Sequence, residues 1–499
     1  MEPPTTIEYM PGGSPIFTKQ IWLDKGSPTN LILGEGWTSI DQKGLAYAPS
    51  LKQVTIPASV TEIGLAAFFK STGLEEVTFA PESLLTIIET GAFRNASSLR
   101  RFDVPPSVTR IDADAFNGAT SLTQVTFSPE SRIDRISDGM FQGAAALQTI
   151  NLPPSVTIIG KGAFNNATAL QTIYIPESVI GIGDNAFRDA TSLAQVTFDP
   201  QSKLAGIGPS AFSGATSLRE IRIPASVSSI GQHAFSAASS LTHVMFEPES
   251  SLIMIGAGAF HRTSLQTITI PASVEKMGWN VFAGAENLKQ VTFEKGSRLK
   301  SIEYGAFTGT TALETIEIPP SVTTIGPRAF SGATALETID IPPSVAMIDI
   351  SAFGGATNLK HVRFLPGSNI SSIRESAFTG TNLKLVVMGK PALDKLNAAI
   401  IDNNAKLRFG DGNTFYGADN VRIISMTKQA DAFFNVAKQR GVPLDAARLS
   451  ASFLTGQTPK AASQKGGRKR ATRKGGRKAA ASKKKKASRR RKTSRRKAR

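Results

Sequence analysis

Apolar and polar positions along this chain follow a pattern that renews itself about every two dozen residues. The clearest pair of copies is Leu313 to Ala335, LETIEIPPSVTTIGPRAFSGATA, and Leu336 to Asn358, LETIDIPPSVAMIDISAFGGATN. Aligned, nearly every apolar residue coincides, giving the unit L-x-x-[IV]-x-[IF]-P-x-S-V-x-x-I-G-x-x-A-F-x-G-A-x-x. The alternation in Thr315-Ile316-Glu317-Ile318 predicts a strand with both isoleucines facing in and Thr315 and Glu317 facing out. Pro319 and Pro320 end it, because neither can donate a ladder hydrogen bond. Val322 and Ile325 predict a second short extended piece. Gly326 then turns the chain, and Ala329-Phe330 returns an aromatic ring to the core. The tight Gly332-Ala333 corner predicts a single helical or 3₁₀ turn.

The Ala-Phe corner sets the register. Its Phe falls at 68, 93, 116, 141, 164, 187, 212, 235, 260, 282, 307, 330, 353 and 378, in steps of 23 or 25 residues with a single 22. Six long steps insert two residues after the first strand, at Pro81-Glu82-Ser83, Phe127 to Arg132, Pro200-Gln201-Ser202, Pro248-Glu249-Ser250, Gly296-Ser297 and Pro366-Gly367-Ser368. One copy has no second layer against which to bury its apolar positions. Copies stacked turn on turn share one continuous core. A period in the twenties opening on Leu-x-x-Ile-x-Ile signals a leucine-rich-repeat solenoid. Full rows open at Leu51 and recur to Leu359, a broken one opens at Leu383, and a degenerate turn at 40–47 brings Tyr47 near the Phe corner.

The signature IPxSVxxIGxxAF resembles the BspA-like leucine-rich repeats over residues 40 to 390. The resemblance implies a mainly β solenoid with two short strands and one helical or 3₁₀ turn per repeat. Members of that family act as surface adhesins and interaction scaffolds in bacteria, single-celled eukaryotes and large DNA viruses. The family has no catalytic motif, so the resemblance transfers no site residues and no cofactor.

Four segments are expected. Residues 1–39 form an N-terminal cap, with Ile16 to Leu23 and Asn30 to Leu33 as strands. Residues 40–389 hold about 14 to 15 repeat turns. Residues 390–455 form a small α+β C-terminal cap or domain. It contains a helix from Pro391 to Asn403, extended pieces at 406–409 and 421–425, an amphipathic helix at 427–439 and another at 444–454. Residues 456–499 form a disordered Lys/Arg-rich tail: after Leu454 there is no aromatic, Leu, Ile or Val to offset the entropy of ordering.

Charge sharpens this division. The chain has 499 residues, 57 Lys or Arg, 39 Asp or Glu and a formal net charge of +18. From Lys460 to Arg499 there are 21 basic residues and no acidic one, which leaves 36 of the 57 basic residues facing all 39 acidic ones in the rest. The body is therefore near neutral and the tail strongly cationic. Cysteine is absent, so neither a disulfide framework nor a thiolate metal site is available. MEPPTTIEYMPGGSPIF has no basic start and no apolar run, and no stretch is long and apolar enough for a membrane span. The expected location is intracellular, nuclear or virion-associated.

No Walker loop, no His-Glu-x-x-His and no Gly-x-Ser-x-Gly occurs. Of the four histidines, His243 and His361 share an outward column five rows apart, about 24 Å at strand spacing, too far for one acid–base or metal site. His233 and His261 sit near corners. The outward columns of the first strand are polar and Thr-rich, as a pleated surface favours without any ligand. Tyr174, Arg222, His243 and Met245 break that monotony and form a candidate protein-binding patch, Tyr and Arg being common interface anchors. In the tail, Lys469, Arg470, Lys483, Lys484, Lys485, Lys486, Arg489, Arg490, Arg491 and Lys492 are candidate phosphate contacts. Without aromatics they lack stacking readout, so binding to nucleic acid or another polyanion would be sequence-independent. The same clusters suit nuclear import. The expected function is a non-enzymatic protein-interaction scaffold with a nucleic-acid-binding or nuclear-import tail. The alternative is a surface adhesin or receptor-like protein whose tail contacts polyanions.

Overall fold

A computed structural model describes residues 5–8, 13–402 and 422–426. Each turn contributes one strand to each of two parallel ladders. The first ladder begins at Thr5–Ile7, Asn30–Leu33 and Gln53–Ile56 and closes at His361–Phe364, Leu385–Gly389 and Arg422–Met426. The second runs from Ile16–Phe17 and Ser39–Ile40 to Ser372–Ile373, mostly as two-residue strands whose second residue is a buried isoleucine. Pairing is in register from turn to turn, as in Thr55 opposite Thr78 and Ile325 opposite Ile348. The first ladder is not one continuous sheet. Strand pairing lapses between Gln195–Phe198 and Glu220–Ile223, for example.

The corner phenylalanines form the axis of the core. All fourteen, from Phe68 to Phe378, are fully buried, and every consecutive pair is stacked at 4.8 to 5.6 Å between ring centroids. The strand spacing of about 4.8 Å imposes that separation, and offset stacking satisfies the ring quadrupoles at the same distance. Leu45 takes the ring's place one turn earlier: its N–H donates to Ala67 O just as that of Phe68 donates to Ala92 O. Tyr47, which the sequence places near this corner, lies outside it, 54% exposed and edge-on to Phe69.

The corner itself is built from left-handed backbone. Residues two before and two after each file phenylalanine all have φ between +53° and +74°. Glycine fills about half of these positions, but Asp114, His233 and Arg328 occupy others. Hydrogen bonds spanning three residues close the corner, as in Arg188 N–H to Asn185 O and Ala190 N–H to Phe187 O. The left-handed residues keep these turns from winding into a helix. Their reward is a third column of turn-to-turn bonds: Phe187 N–H donates 2.7 Å to Ala211 O and Phe212 N–H 2.7 Å to Ala234 O, toward the following turn. At the Gly of Ile-Gly the turns approach too closely for a side chain. A Cβ on Gly160, Gly183, Gly208, Gly231, Gly256 or Gly278 would lie 2.3 to 2.7 Å from backbone of the turn before.

The six inserted loops share one device. Ser83, Ser131, Ser202, Ser250, Ser297 and Ser368 each accept the N–H of the residue two further on, a buried Leu or Ile, at 3.3 to 3.4 Å. The hydroxyl ends the loop and returns the chain to the core. At the start, Ile16 to Leu23 is not a single strand: Ile16–Phe17 pairs with Ser39–Ile40 and a helix, Lys19–Asp24, follows with Trp22 buried. The polar Lys19-Gln20 pair breaks strand alternation there and turns the Trp inward. At the other end a helix spans Lys390–Asp402, and Arg422–Met426 pairs in parallel with Leu385–Gly389 and extends the first ladder. The expected helices at 427–439 and 444–454, the extended piece at 406–409 and the tail lie outside the described residues.

Candidate binding faces of the solenoid

The outward columns of the first ladder are largely occupied with one another. Thr55 and Thr78 hydroxyls meet at 3.0 Å, and Gln53 Nε2 donates to Glu76 at 3.2 Å. Arg363 forms a bidentate pair with Asp340 of the turn before at 2.6 and 2.7 Å, and Arg101 pairs with Asp103 on its own strand at 3.1 Å. Several of the charges on this face are therefore engaged by neighbours on the same face.

Against that background the four patch residues separate. Arg222 and Met245 are direct cross-strand partners, and His243 lies two residues before Met245 on the same strand, opposite Glu220. Arg222 is exposed and makes no hydrogen bond or ion pair among the described residues. His243 Nδ1 sits 2.9 Å from the Thr242 hydroxyl. Tyr174 is two turns from Arg222 and in a different sheet. Its phenol donates 2.5 Å to Asp199. That bond pushes the phenol above its ordinary range, while the same bond and the Gln201 N–H hold the Asp199 carboxyl below its own. The structure thus gathers Arg222, His243 and Met245 and leaves Tyr174 apart.

His243 and His361 lie on separate strands of the first ladder, as their spacing requires. His261 is half-buried, and burial pushes its imidazole down, with Arg262 and His233 adding to the effect. Among the described residues no group of three His, Cys, Asp or Glu is placed to hold a metal ion. No helix there is long and apolar enough to cross a membrane. All ten tail residues, from Lys469 to Lys492, lie outside the described residues.

The second ladder holds a feature that sequence reasoning missed. Its outward column reads Ile158, Gly181, Gly206, Ser229, Met254, Lys276 in register. The two glycines and the serine leave a trough of about 1030 Å³ across these turns. The available signal was a doubled glycine, Gly181-Ile182-Gly183 and Gly206-Ile207-Gly208, where other turns carry one or none.

Comparison with known proteins places this architecture. The pattern of the BspA-type leucine-rich repeat region matches residues 38–171, 157–289 and 278–408 in 6 copies. The chain belongs to the BspA-type leucine-rich repeat family. Among solved structures, this BspA-type chain is similar to a leucine-rich repeat protein from Bacteroides ovatus, at 24% identity over 78% of this chain and 94% of that one, with a TM-score of 0.54. It is also similar to a leucine-rich cell surface protein from Faecalibacterium prausnitzii, at 27% identity over 70% and 82% of the two chains and a TM-score of 0.37. No curated protein matches it. The likeness to the Bacteroides structure is one of fold. BspA-type turns here carry their polar variation on the outward faces, because the inward positions are filled by buried Leu, Ile, Val, Ala and Phe. Leucine-rich solenoids offer such extended faces to protein partners.

Proposed function

We propose that this chain is a non-enzymatic scaffold that holds a protein partner on its solenoid and a nucleic acid on its basic tail. One observation carries the solenoid half: on a face where Arg101 and Arg363 are paired with carboxylates, Arg222 makes no hydrogen bond or ion pair among the described residues and lies beside the exposed Met245. An unpaired guanidinium next to an adaptable apolar side chain is the kind of anchor around which interfaces form. The tail half is supported by 21 Lys or Arg without an acidic residue between Lys460 and Arg499. Such a run releases counterions from phosphates and binds without regard to sequence. The same clusters serve nuclear import in this reading.

Truncation after Thr455 tests the tail. The full chain is expected to be retained on immobilised duplex DNA at low salt, with log affinity falling by about 0.9 per phosphate contact for each tenfold rise in salt. The truncated chain should pass through, and unchanged retention refutes the tail assignment. Fractionation of cells or virions with the tagged chain tests its location. Recovery on the outer surface would replace this reading with that of an adhesin whose tail contacts polyanions.

A further inference from the structure

Glycine inside a strand lowers stability, so a strand glycine needs a reason. The Gly183, Gly208, Gly231 and Gly256 file has one in the close approach of successive turns. Gly181 and Gly206 do not share it. Neither has a left-handed φ; a Cβ on Gly181 would meet nothing within 4 Å, and one on Gly206 only Ser229, at 3.1 Å from its hydroxyl. Nothing in the fold asks for these two glycines. What they do is keep the floor of the trough clear.

The column beside the trough is unusual in the same turns. Elsewhere the residue before each second-ladder strand is mostly Thr or Ser, bonded to the turn before, as in Thr157 Oγ1 to Asp134 O and Thr323 Oγ1 to Lys300 O. Here that column presents Ile180 and Ile253, both about half exposed, outside the trough lining itself. Within the lining the large exposed apolar side chains are Met254 and Trp279, the latter 63% exposed. The indole N–H of Trp279, the Gln232 amide and the Lys276 ammonium make no hydrogen bond or ion pair among the described residues. Glu303, the lining carboxylate, is engaged by the Ser301 hydroxyl at 2.6 Å. The trough therefore offers apolar surface from Pro209, Met254 and Trp279, a bare backbone floor and, beside the hydroxyl-bonded Glu303, a Lys276 ammonium with no ion pair among the described residues.

We propose that this trough receives an extended apolar segment of a partner protein, with an acidic side chain of that segment set against Lys276. The four steps from Gly181 to Lys276 span about 19 Å at strand spacing, room for roughly six extended residues. Bare glycine lets a backbone lie close, while Pro209, Met254 and Trp279 offer apolar surface to its side chains. A saccharide fits less well, because most of its hydroxyls would face Ile, Met and glycine Cα without a partner. Lys276 sets the sign of the charge the segment must bring. The inference rests on the scaffold reading in one respect, that the ligand is a protein, but it uses the opposite ladder from Arg222 and Met245.

The test pans a random dodecapeptide display library on the full chain and measures the best synthetic peptide against three variants. Enriched peptides should alternate apolar residues around one Asp or Glu. Gly181→Leu places its Cβ in open space and its branched end over the floor; it should weaken binding on the order of tenfold or more while leaving the melting temperature unchanged or raised. Lys276→Glu should weaken it similarly, and a peptide with its acidic residue changed to Lys should regain affinity for that variant. Met245→Ala, on the other face, should leave binding unchanged. Loss of binding in Met245→Ala but not in Gly181→Leu overturns the trough and leaves the scaffold standing. Failure to enrich any peptide counts against both. Binding of a saccharide panel at this site, or a dimer abolished by Gly181→Leu in sedimentation, overturns the partner segment as occupant.

Discussion

Removing one ring from the middle of the phenylalanine file should cost more than a side chain's worth of packing. Phe212 is fully buried and stacks on Phe187 at 5.1 Å and Phe235 at 5.3 Å, each within 4° of parallel. Phe212→Ala empties a space whose two ends are fixed by strand ladders, so the neighbouring turns cannot close over it. The cost is expected in the upper part of the range for buried Phe truncation, about 3–5 kcal/mol. Because a solenoid is held by nearest-neighbour coupling, the same lesion weakens the link between the turns before and after it. Urea unfolding, followed by circular dichroism and by the combined fluorescence of the three tryptophans, reports both effects. The midpoint should fall, and a transition that is single in the parent should broaden or split, with a lower apparent m-value. Phe212→Leu, which refills most of the volume, should recover more than half of the loss. A cost below about 1.5 kcal/mol with an unchanged m-value would refute the view that the file couples the turns.

Two further outcomes follow from the same geometry. Gly231→Ala would set a Cβ 2.4 Å from Pro209 N, so its melting temperature should drop clearly, whereas Gly181→Ala, with open space around it, should gain about 0.4–1 kcal/mol in chemical denaturation. In an ultraviolet pH titration, Tyr174 should ionise above the ordinary phenol range and return toward it in Asp199→Asn. The sign is set by the bond to Asp199: the raised phenol favours the folded chain below the usual phenol pKa and loses that contribution as pH climbs through its own. The depressed Asp199 contributes above the usual carboxylate pKa and loses its share as pH falls through its folded value. Identical Tyr titration in parent and variant would dispose of the contact.

Much of the fold was legible because it repeats. The inward residues of both strands, the Phe register and the six inserted loops follow from period-two alternation and fixed spacing, and the structure places Ile316, Ile325 and Phe330 in the core accordingly. The corner was harder to read. Its left-handed positions are filled by Asp114, His233 and Arg328 as readily as by glycine, so residue identity does not mark them, and a run of bonds spanning three residues resembles a helical turn until φ is known. Tyr47 misled because aromatic character was matched, while Leu45, two residues earlier, holds the equivalent backbone position. Column arithmetic grouped Tyr174 with Arg222, His243 and Met245; the structure sets the last three on adjacent paired strands and Tyr174 two turns before Arg222, bonded to Asp199. The trough escaped notice because it consists of side chains that are missing, and a search for chemistry-bearing residues passes over glycine.

Turns of 22, 23 and 25 residues coexist in one uninterrupted aromatic file, with every difference absorbed in surface loops. Length is therefore a free variable of this architecture. Excising a whole copy such as 313–335 would join Ala312 to Leu336 in phase and bring everything beyond the cut closer by one notch of about 4.8 Å, whereas cutting half a copy would leave a ring facing a strand. The molecule behaves as a graduated ruler: genetic duplication or loss can retune the interval between two sites on it without redesigning either site.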